Sequence, residues 1–409
     1  MSVFLACCWG LGLGLALGLS TKAMATSDPY SEAMLAISQG RLKDAQALLT
    51  TIVRDQPRHA GAWLDLAMLY CASANADEAE RLFQEIEQDF QPPPAIREVI
   101  ARQRLAGCHG WQAKRDVTVR MSRGAESNAN QGASNPIFSF GSGLSQVDLT
   151  LLPAYLPQAD RYSNLYLEAA QELTSAGASA VVQLQSRHYD HLSDYNTTAL
   201  FVGAEQPLRW GSWGFRNAAS LGMMTLGRQL YLKQSQVQIE VLPPLNLPAN
   251  WQASMSTGLK LFNYPALIGF NARWTEARAG LNYKSANLWL QSSLSLVQDT
   301  QSGQRPGGDR IGTLAALSAR AVLQAPWSGE VGVQTQHWQG DRLYSPGLID
   351  VRRVQNTQML RLALSYKLPD DQTLVLEYKD VKNSESISIF GYRNQQLQLH
   401  WQWQPLRKT

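Results

Sequence analysis

The end of the chain alternates without exception. Across residues 395–404, Leu397, Leu399, Trp401 and Trp403 fall on one face of an extended strand, and Gln396, Gln398, His400, Gln402 and Gln404 on the other. A soluble sheet would need a second layer to cover that apolar face. A strand of a closed membrane barrel turns it to lipid and its glutamines to a wet lumen, with the two indoles at the bilayer interface.

The pattern recurs upstream. Val117, Val119 and Met121 oppose Thr118, Arg120 and Ser122, and Trp251, Ala253, Met255, Thr257, Leu259 and Leu261 oppose Gln252, Ser254, Ser256, Gly258 and Lys260. Leu360, Leu362 and Leu364 oppose Arg361 and Ala363, and Leu374, Leu376 and Tyr378 oppose Glu377 and Lys379. At roughly 20 residues per strand and turn this predicts about 14 strands, with 12 and 16 open, because even counts are the rule for such barrels. Residues 124–158 read as one long loop or an added hairpin. Compact turns at 243–248 and 368–371 suit one side of the membrane, and the longer polar segments 301–310, 340–353 and 382–391 suit outer-surface loops.

Between residues 30 and 104 the period changes to that of helices. Two segments align at an offset of 34, Ala45 with Ala79 and Leu49 with Phe83. Trp63, Leu66, Tyr70, Ala79 and Phe83 follow the tetratricopeptide pattern, in which a small residue lets paired helices approach and aromatic side chains fill the space between them. These five are candidates for repeat packing and for partner docking. Such a unit cannot hide its apolar face alone, so the helix over 96–105 is expected to cap it. The reading is thus α + β: a signal peptide over 1–25, a helical repeat domain over 26–112 and a transmembrane barrel over 113–409.

Composition sharpens this picture. Charged residues are 17% and hydrophobic residues 44%, with no long apolar run after residue 20, which suits a barrel better than a bundle of membrane helices. The run from Phe4 to Ser20, followed by Ala23-Met24-Ala25, reads as an export signal cleaved after Ala25. The formal charge of +3 includes Lys22 and contains no basic cluster, which argues against nucleic acid as a partner. Of four cysteines, Cys71 and Cys108 remain after cleavage; in an oxidising periplasm they form a candidate disulfide, two buried thiols being the alternative.

On the inward face the charged candidates are Arg120, Glu168, Arg187, Lys260, Arg361, Glu377 and Lys379, as lumen lining or as wall-bracing pairs. No nucleophile elbow, P-loop, dinucleotide fingerprint or zinc-binding cysteine pair is present, so neither catalysis nor a cofactor or metal is expected. His188-Tyr189-Asp190-His191 reads as a hydrated loop tip.

A signal peptide, tetratricopeptide repeats and then a barrel resembles the architecture of the surface lipoprotein assembly modulators (Slam) of Gram-negative bacteria. Val117-Thr118-Val119-Arg120-Met121-Ser122-Arg123-Gly124-Ala125-Glu126-Ser127-Asn128-Ala129-Asn130 is similar to that family's opening strand, which ends in a Ser-Asn-x-Asn turn. The repeat unit here is shorter, and the chain runs past Trp403 as Pro405-Leu406-Arg407-Lys408-Thr409 where assembly signals commonly end on an aromatic residue.

The resemblance implies an outer-membrane export or assembly factor that moves a protein client, such as a lipoprotein, to the surface. Its helical domain would lie in the periplasm, with membrane lipid and the barrel-assembly machinery as partners and Trp401 and Trp403 as assembly signal and interface belt. The alternatives are an exopolysaccharide-export porin, which aromatic residues lining the lumen would favour, and a plain diffusion porin. At this level most strand aromatics, including Trp251, Trp401 and Trp403, read as outward, which ranks the protein client first.

Overall fold

A computed structural model describes residues 28–108, 113–141, 146–248 and 250–405. The expected signal peptide and the tail from Leu406 to Thr409 lie outside these residues. Five helices come first: α1 (Pro29–Ser38), α2 (Leu42–Asp55), α3 (Ala60–Ala72), α4 (Ala76–Asp89) and α5 (Pro94–Ala106). Short polar side chains start several of them. Asp28 accepts from the Tyr30 amide, His59 Nδ1 from Ala62 at 3.0 Å and Asn75 from Glu78, each satisfying an amide that the first helical turn leaves without a partner. Their apolar faces meet in one core containing Ala33, Ala45, Leu49, Leu66, Ala79 and Phe83. No helix among the described residues is long and apolar enough to cross a membrane.

The remainder is strand. In chain order these are β1 (Arg115–Glu126), β2 (Ile137–Phe140), β3 (Val147–Thr150), β4 (Asp160–Glu172), β5 (Ser179–Tyr189), β6 (Thr197–Trp210), β7 (Trp213–Leu226) and β8 (Gln229–Leu242). They continue as β9 (Trp251–Asn263), β10 (Ala272–Lys284), β11 (Leu288–Gln301), β12 (Arg310–Gln324), β13 (Trp327–Ser345), β14 (Ile349–Lys367), β15 (Gln372–Glu385) and β16 (Tyr392–Trp403). Fourteen of them, all but β2 and β3, close into one antiparallel barrel in which β1 pairs with both β4 and β16. Closure leaves no unpaired strand edge, the condition a membrane imposes on a sheet. β2 and β3 form a separate hairpin inside the loop between β1 and β4.

Pairing carries one face around the whole ring. Arg120 stands opposite Tyr166 on β4 and Gln402 on β16, and Met121 opposite Leu165 and Trp401. The first set turns inward and the second outward. Leu397 and Leu399 are each 53% exposed while His400 between them and Trp401 is 4% exposed, so the apolar face is the outer one. This inversion of a soluble core is what lipid around a wet lumen requires.

The helical unit meets the barrel at one end, where α1 packs beside the β4–β5 and β6–β7 turns over a crevice lined by Met34, Leu35, Ala176, Pro207 and Leu208. Both compact turns lie at this helical end. The β14–β15 turn is a two-residue hairpin with Asp370 and Asp371 at φ 56° and 59°, the conformation that matches strand twist. The long polar segments lie at the opposite, far end; 302–309 and 386–391 are loop, but 340–353 is less loop-like than its composition suggests. β13 and β14 run 19 residues each, with only residues 346–348 outside a strand between them, although their pairing shifts register between Gln339 and Ser345. Polar residues beyond the apolar belt pair as strands just as well, and composition cannot tell the two states apart.

Candidate functional site: the barrel lumen

All seven inward candidates lie on the lumen face. Arg120 donates to Gln402 at 3.0 Å, with its guanidinium 5.2 Å from the Tyr166 ring centre, and Glu168 accepts from the Tyr166 hydroxyl. Lys260 stands 4.0 Å from Glu276 and 5.5 Å from the Trp274 ring. Arg361 bridges Glu330 and Glu377, the latter at 2.7 Å. Arg187 pairs with Glu126 at 3.2 Å and stacks 4.1 Å over Tyr162. Lys379 alone among the seven has no ion pair or hydrogen bond among the described residues.

Tertiary structure joins several of these to residues the alternation did not single out. Glu126 is buried and accepts from Arg187, the Tyr189 hydroxyl, Asn394 at 2.6 Å and Gln396 at 2.8 Å. Gln398 donates to Glu377 at 2.8 Å and accepts from Tyr162, so one network runs along the inner wall from β5 to β13 across the closing seam. A second group lies at the far end, where Arg305 and Arg310 both hold Asp299. Arg305 belongs to the β11–β12 loop and has no periodic signal, and Asp299 was recognisable only as one more polar inward position. Asp190 of the HYDH segment binds Arg123 at 2.8 Å, and His188 meets Ser186. Among the described residues no group of three His, Cys, Asp or Glu is arranged to hold a metal.

The outward assignment of most strand aromatics needs correction. Tyr162, Tyr166, Tyr189, Phe201, Phe262, Trp274, Trp338 and Tyr392 share register with the inward residues. Most outward aromatics gather at the helical end: Trp251 against Tyr283, Trp327 against Tyr366, and Trp401, which donates to Gln372 at 2.8 Å, next to Trp403. The inward rings were missed because each is a single aromatic among polar neighbours, without a stripe to announce it. Three of them rest on glycines of the adjoining strand. A Cβ on Gly124 would come within 2.8 Å of Tyr162, and Gly222 and Gly312 leave the same space for Phe201 and Trp338. Tyr162 and Trp338 are thereby buried in the wall at 0% and 4% exposure, whereas Tyr166, Tyr189, Phe201, Phe262, Trp274 and Tyr392 stay half-buried, facing the lumen.

Between the rings the inner wall is rich in amides. Gln234 donates to Gln236 and Gln236 to Gln238 at 3.2 Å, and Gln334, Gln336, Gln396, Gln398 and Gln402 line the opposite side. The first far-end loop is pinned to this wall by asparagines of the Ser-Asn-x-Asn turn. Asn128, fully buried, donates to Gly132 and Arg393 carbonyls and accepts from the Gly132 amide at 2.7 Å, while Asn130 holds Leu156 and Gln158 at 2.8 and 2.9 Å.

In the helical unit Leu66, Ala79 and Phe83 are buried, so they serve packing and cannot meet a partner. Trp63 packs against the core that holds Phe83 but is only half-buried; it also faces Phe90 with ring centres 6.2 Å apart and donates to the Pro57 carbonyl at 2.9 Å. With half-buried Tyr70 it is the part of the motif left accessible. Cys71, ending α3, is disulfide-bonded to Cys108 after α5, and Arg104 of α5 reaches Glu80 and Glu87 of α4 at 2.8 and 3.0 Å. Tyr30 of α1 donates to Asp65 of α3 at 2.6 Å. Burial, together with that carboxylate, pushes its hydroxyl up to about 12.

Residues 36–102 match the tetratricopeptide repeat family. No curated protein matches the chain. Among solved structures it is similar to the anion-selective porin from Comamonas acidovorans at 11% identity, with a TM-score of 0.39 and coverage of 72% of this chain and 99% of that one. It is also similar to the outer membrane channel DcaP of Acinetobacter baumannii (9% identity, TM-score 0.40, 72% and 97% coverage) and to a bacterial polysaccharide outer membrane secretin (10%, 0.38, 71% and 98%). Likenesses this remote carry no functional argument, and the assignment of a repeat domain followed by a fourteen-strand barrel stands on the chain's own pairing and repeat match.

Proposed function

We propose that the chain carries a polysaccharide across the outer membrane of a Gram-negative bacterium, with its helical repeats in the periplasm receiving a component of the export route. The observation that carries this reading is the inner wall, where half-buried aromatic rings alternate with uncharged amides and most charges are already paired. Amides offer both donors and acceptors to sugar hydroxyls, and exposed ring faces suit the apolar faces of pyranoses. Bore size points the same way. Fourteen strands fall between the eight of a barrel filled by its own side chains and the 16–18 of open porins, which suits an extended hydrated chain better than a folded protein. In this reading the chain is a conduit with no catalytic step and no cofactor, membrane lipid covers the apolar belt, and the assembly machinery reads Trp401 and Trp403.

Deleting the gene is expected to lower cell-surface polysaccharide, measured by dye or lectin binding, and to leave surface lipoproteins equally sensitive to added protease. Unchanged polysaccharide with lost lipoprotein exposure would overturn this in favour of protein-client export. That second reading is favoured by the Ser127-Asn128-Ala129-Asn130 turn, the motif that carries the resemblance, whose asparagines seat the first loop. Large, steady single-channel conductance with neither phenotype would instead mark a diffusion porin.

A further inference from the structure

A cavity of about 210 Å³ opens on the inner wall of β13 to β16, roofed by Gln131 from the first far-end loop. Its volume is that of about seven liquid waters, close to a single pyranose ring. Lys379 stands in its wall between Thr357 and Met359 of β14 and Asn394 and Gln396 of β16. Three features make it a built site.

The first is an unpaired cation. The two nearest carboxylates are already engaged, Glu126 by four donors and Glu377 by Arg361 and Gln398, and no carboxylate lies within 4 Å of Lys379 among the described residues. A half-buried ammonium without a partner is costly to keep. The second is unspent hydrogen-bonding capacity: among the described residues the Gln131 and Gln334 amides and the Tyr392 hydroxyl make no side-chain hydrogen bond, and Gln336 and Gln396 each use only one end. The third is the roof. Gln131 sits at φ 52°, a left-handed conformation that non-glycine side chains rarely adopt, and the Asn128 and Asn130 clamps hold it there.

We propose that this cavity is a binding subsite for a carboxylated sugar residue, a uronic acid, with Lys379 pairing the carboxylate and the surrounding amides taking its hydroxyls. A single negative charge fits better than a phosphate dianion, because Glu377 lies two residues along β15 on the same face and Glu126 lies across Gln396 in register with Lys379, so both carboxylates would repel a second charge. The inference deepens the polysaccharide reading by naming the substrate's charge, and it fails separately from it, since a neutral polymer could be exported with this site empty.

The test uses the full chain in nanodiscs, with binding of trigalacturonate, maltotriose and inorganic phosphate followed by calorimetry and tryptophan fluorescence. Trigalacturonate is expected to bind about tenfold or more tightly than maltotriose, the worth of one charge-assisted hydrogen bond. Lys379→Gln should erase that preference while leaving heat-modifiable migration unchanged, and Lys379→Arg should keep most of it. Equal affinity for the two oligosaccharides in the native chain, an undiminished preference in Lys379→Gln, or phosphate competing as well as trigalacturonate would each overturn the proposal. Whether the deletion strain loses surface polysaccharide is scored independently.

Discussion

The helical unit and the barrel bury opposite things. In the helices the inaccessible side chains are Ala33, Ala45, Leu49, Leu82, Phe83 and Ile86, while in the barrel they include Glu126, Asp160, Glu276, Asp299, Asn394 and His400, and its leucines stand exposed. One rule produces both. Apolar area leaves water wherever it can, into a packed core for a helix pair and toward lipid for a closed sheet whose inside is wet. The two units should therefore respond to different perturbations, each nearly silent in the other.

The largest expected effect falls on the outer face at the helical end. Replacing both Trp401 and Trp403 with Gln is expected to abolish insertion, read as loss of heat-modifiable migration, with residues 28–108 still helical. Reducing the Cys71–Cys108 bond, which closes a loop with a separation of 37 residues, is expected to cost the helical unit about 3–4 kcal/mol by chain entropy. Urea unfolding of that unit would shift while barrel migration would not.

Leu399→Arg, on the lipid side, should destabilise the barrel by roughly 2–4 kcal/mol in reversible unfolding from micelles. Gln398→Arg, one residue away but facing Glu377, should cost under about 1 kcal/mol, since the new charge gains a partner. Equal costs at the two positions would break the inside-out comparison.

The smallest effect is on pH dependence. Tyr30 is held up to about 12 by burial and by Asp65. Because its folded value lies above its ordinary value of 10.0, the stability it contributes is fully present below pH 10 and lost as pH rises through 12. Helical-unit stability followed by circular dichroism should fall over that window more steeply in the native chain than in Tyr30→Phe.

How much of this was legible depended on whether the signal was local. The period of 34 linking Ala45 to Ala79 and the strict alternation of residues 395–404 are properties of neighbours in sequence, and the repeats, the barrel and the inward placement of Arg120 or Lys379 could all be read from them. Asp299 and Arg305 could not be paired in advance, since a loop residue has no period. Nor could Trp274 and Trp338 be recognised as inward, because each is one aromatic among polar residues, and only the register of β10 to β13 says which way its strand alternates. The polar ends of β13 and β14 read as loop because pairing beyond the membrane needs no apolar residue.

By itself, then, the chain's pattern determined that a short helical repeat precedes a closed sheet with a lipid-facing outside, since period and amphipathicity act between near neighbours. Only the tertiary structure decided what the lumen contains: that Glu126 on β1 gathers donors from β5 and β16, that Gln131 roofs a cavity on β13 to β16, and that Lys379 stands in it with no carboxylate within 4 Å among the described residues. These contacts join residues up to hundreds of positions apart, and no alternation along a strand records which other strands close around it.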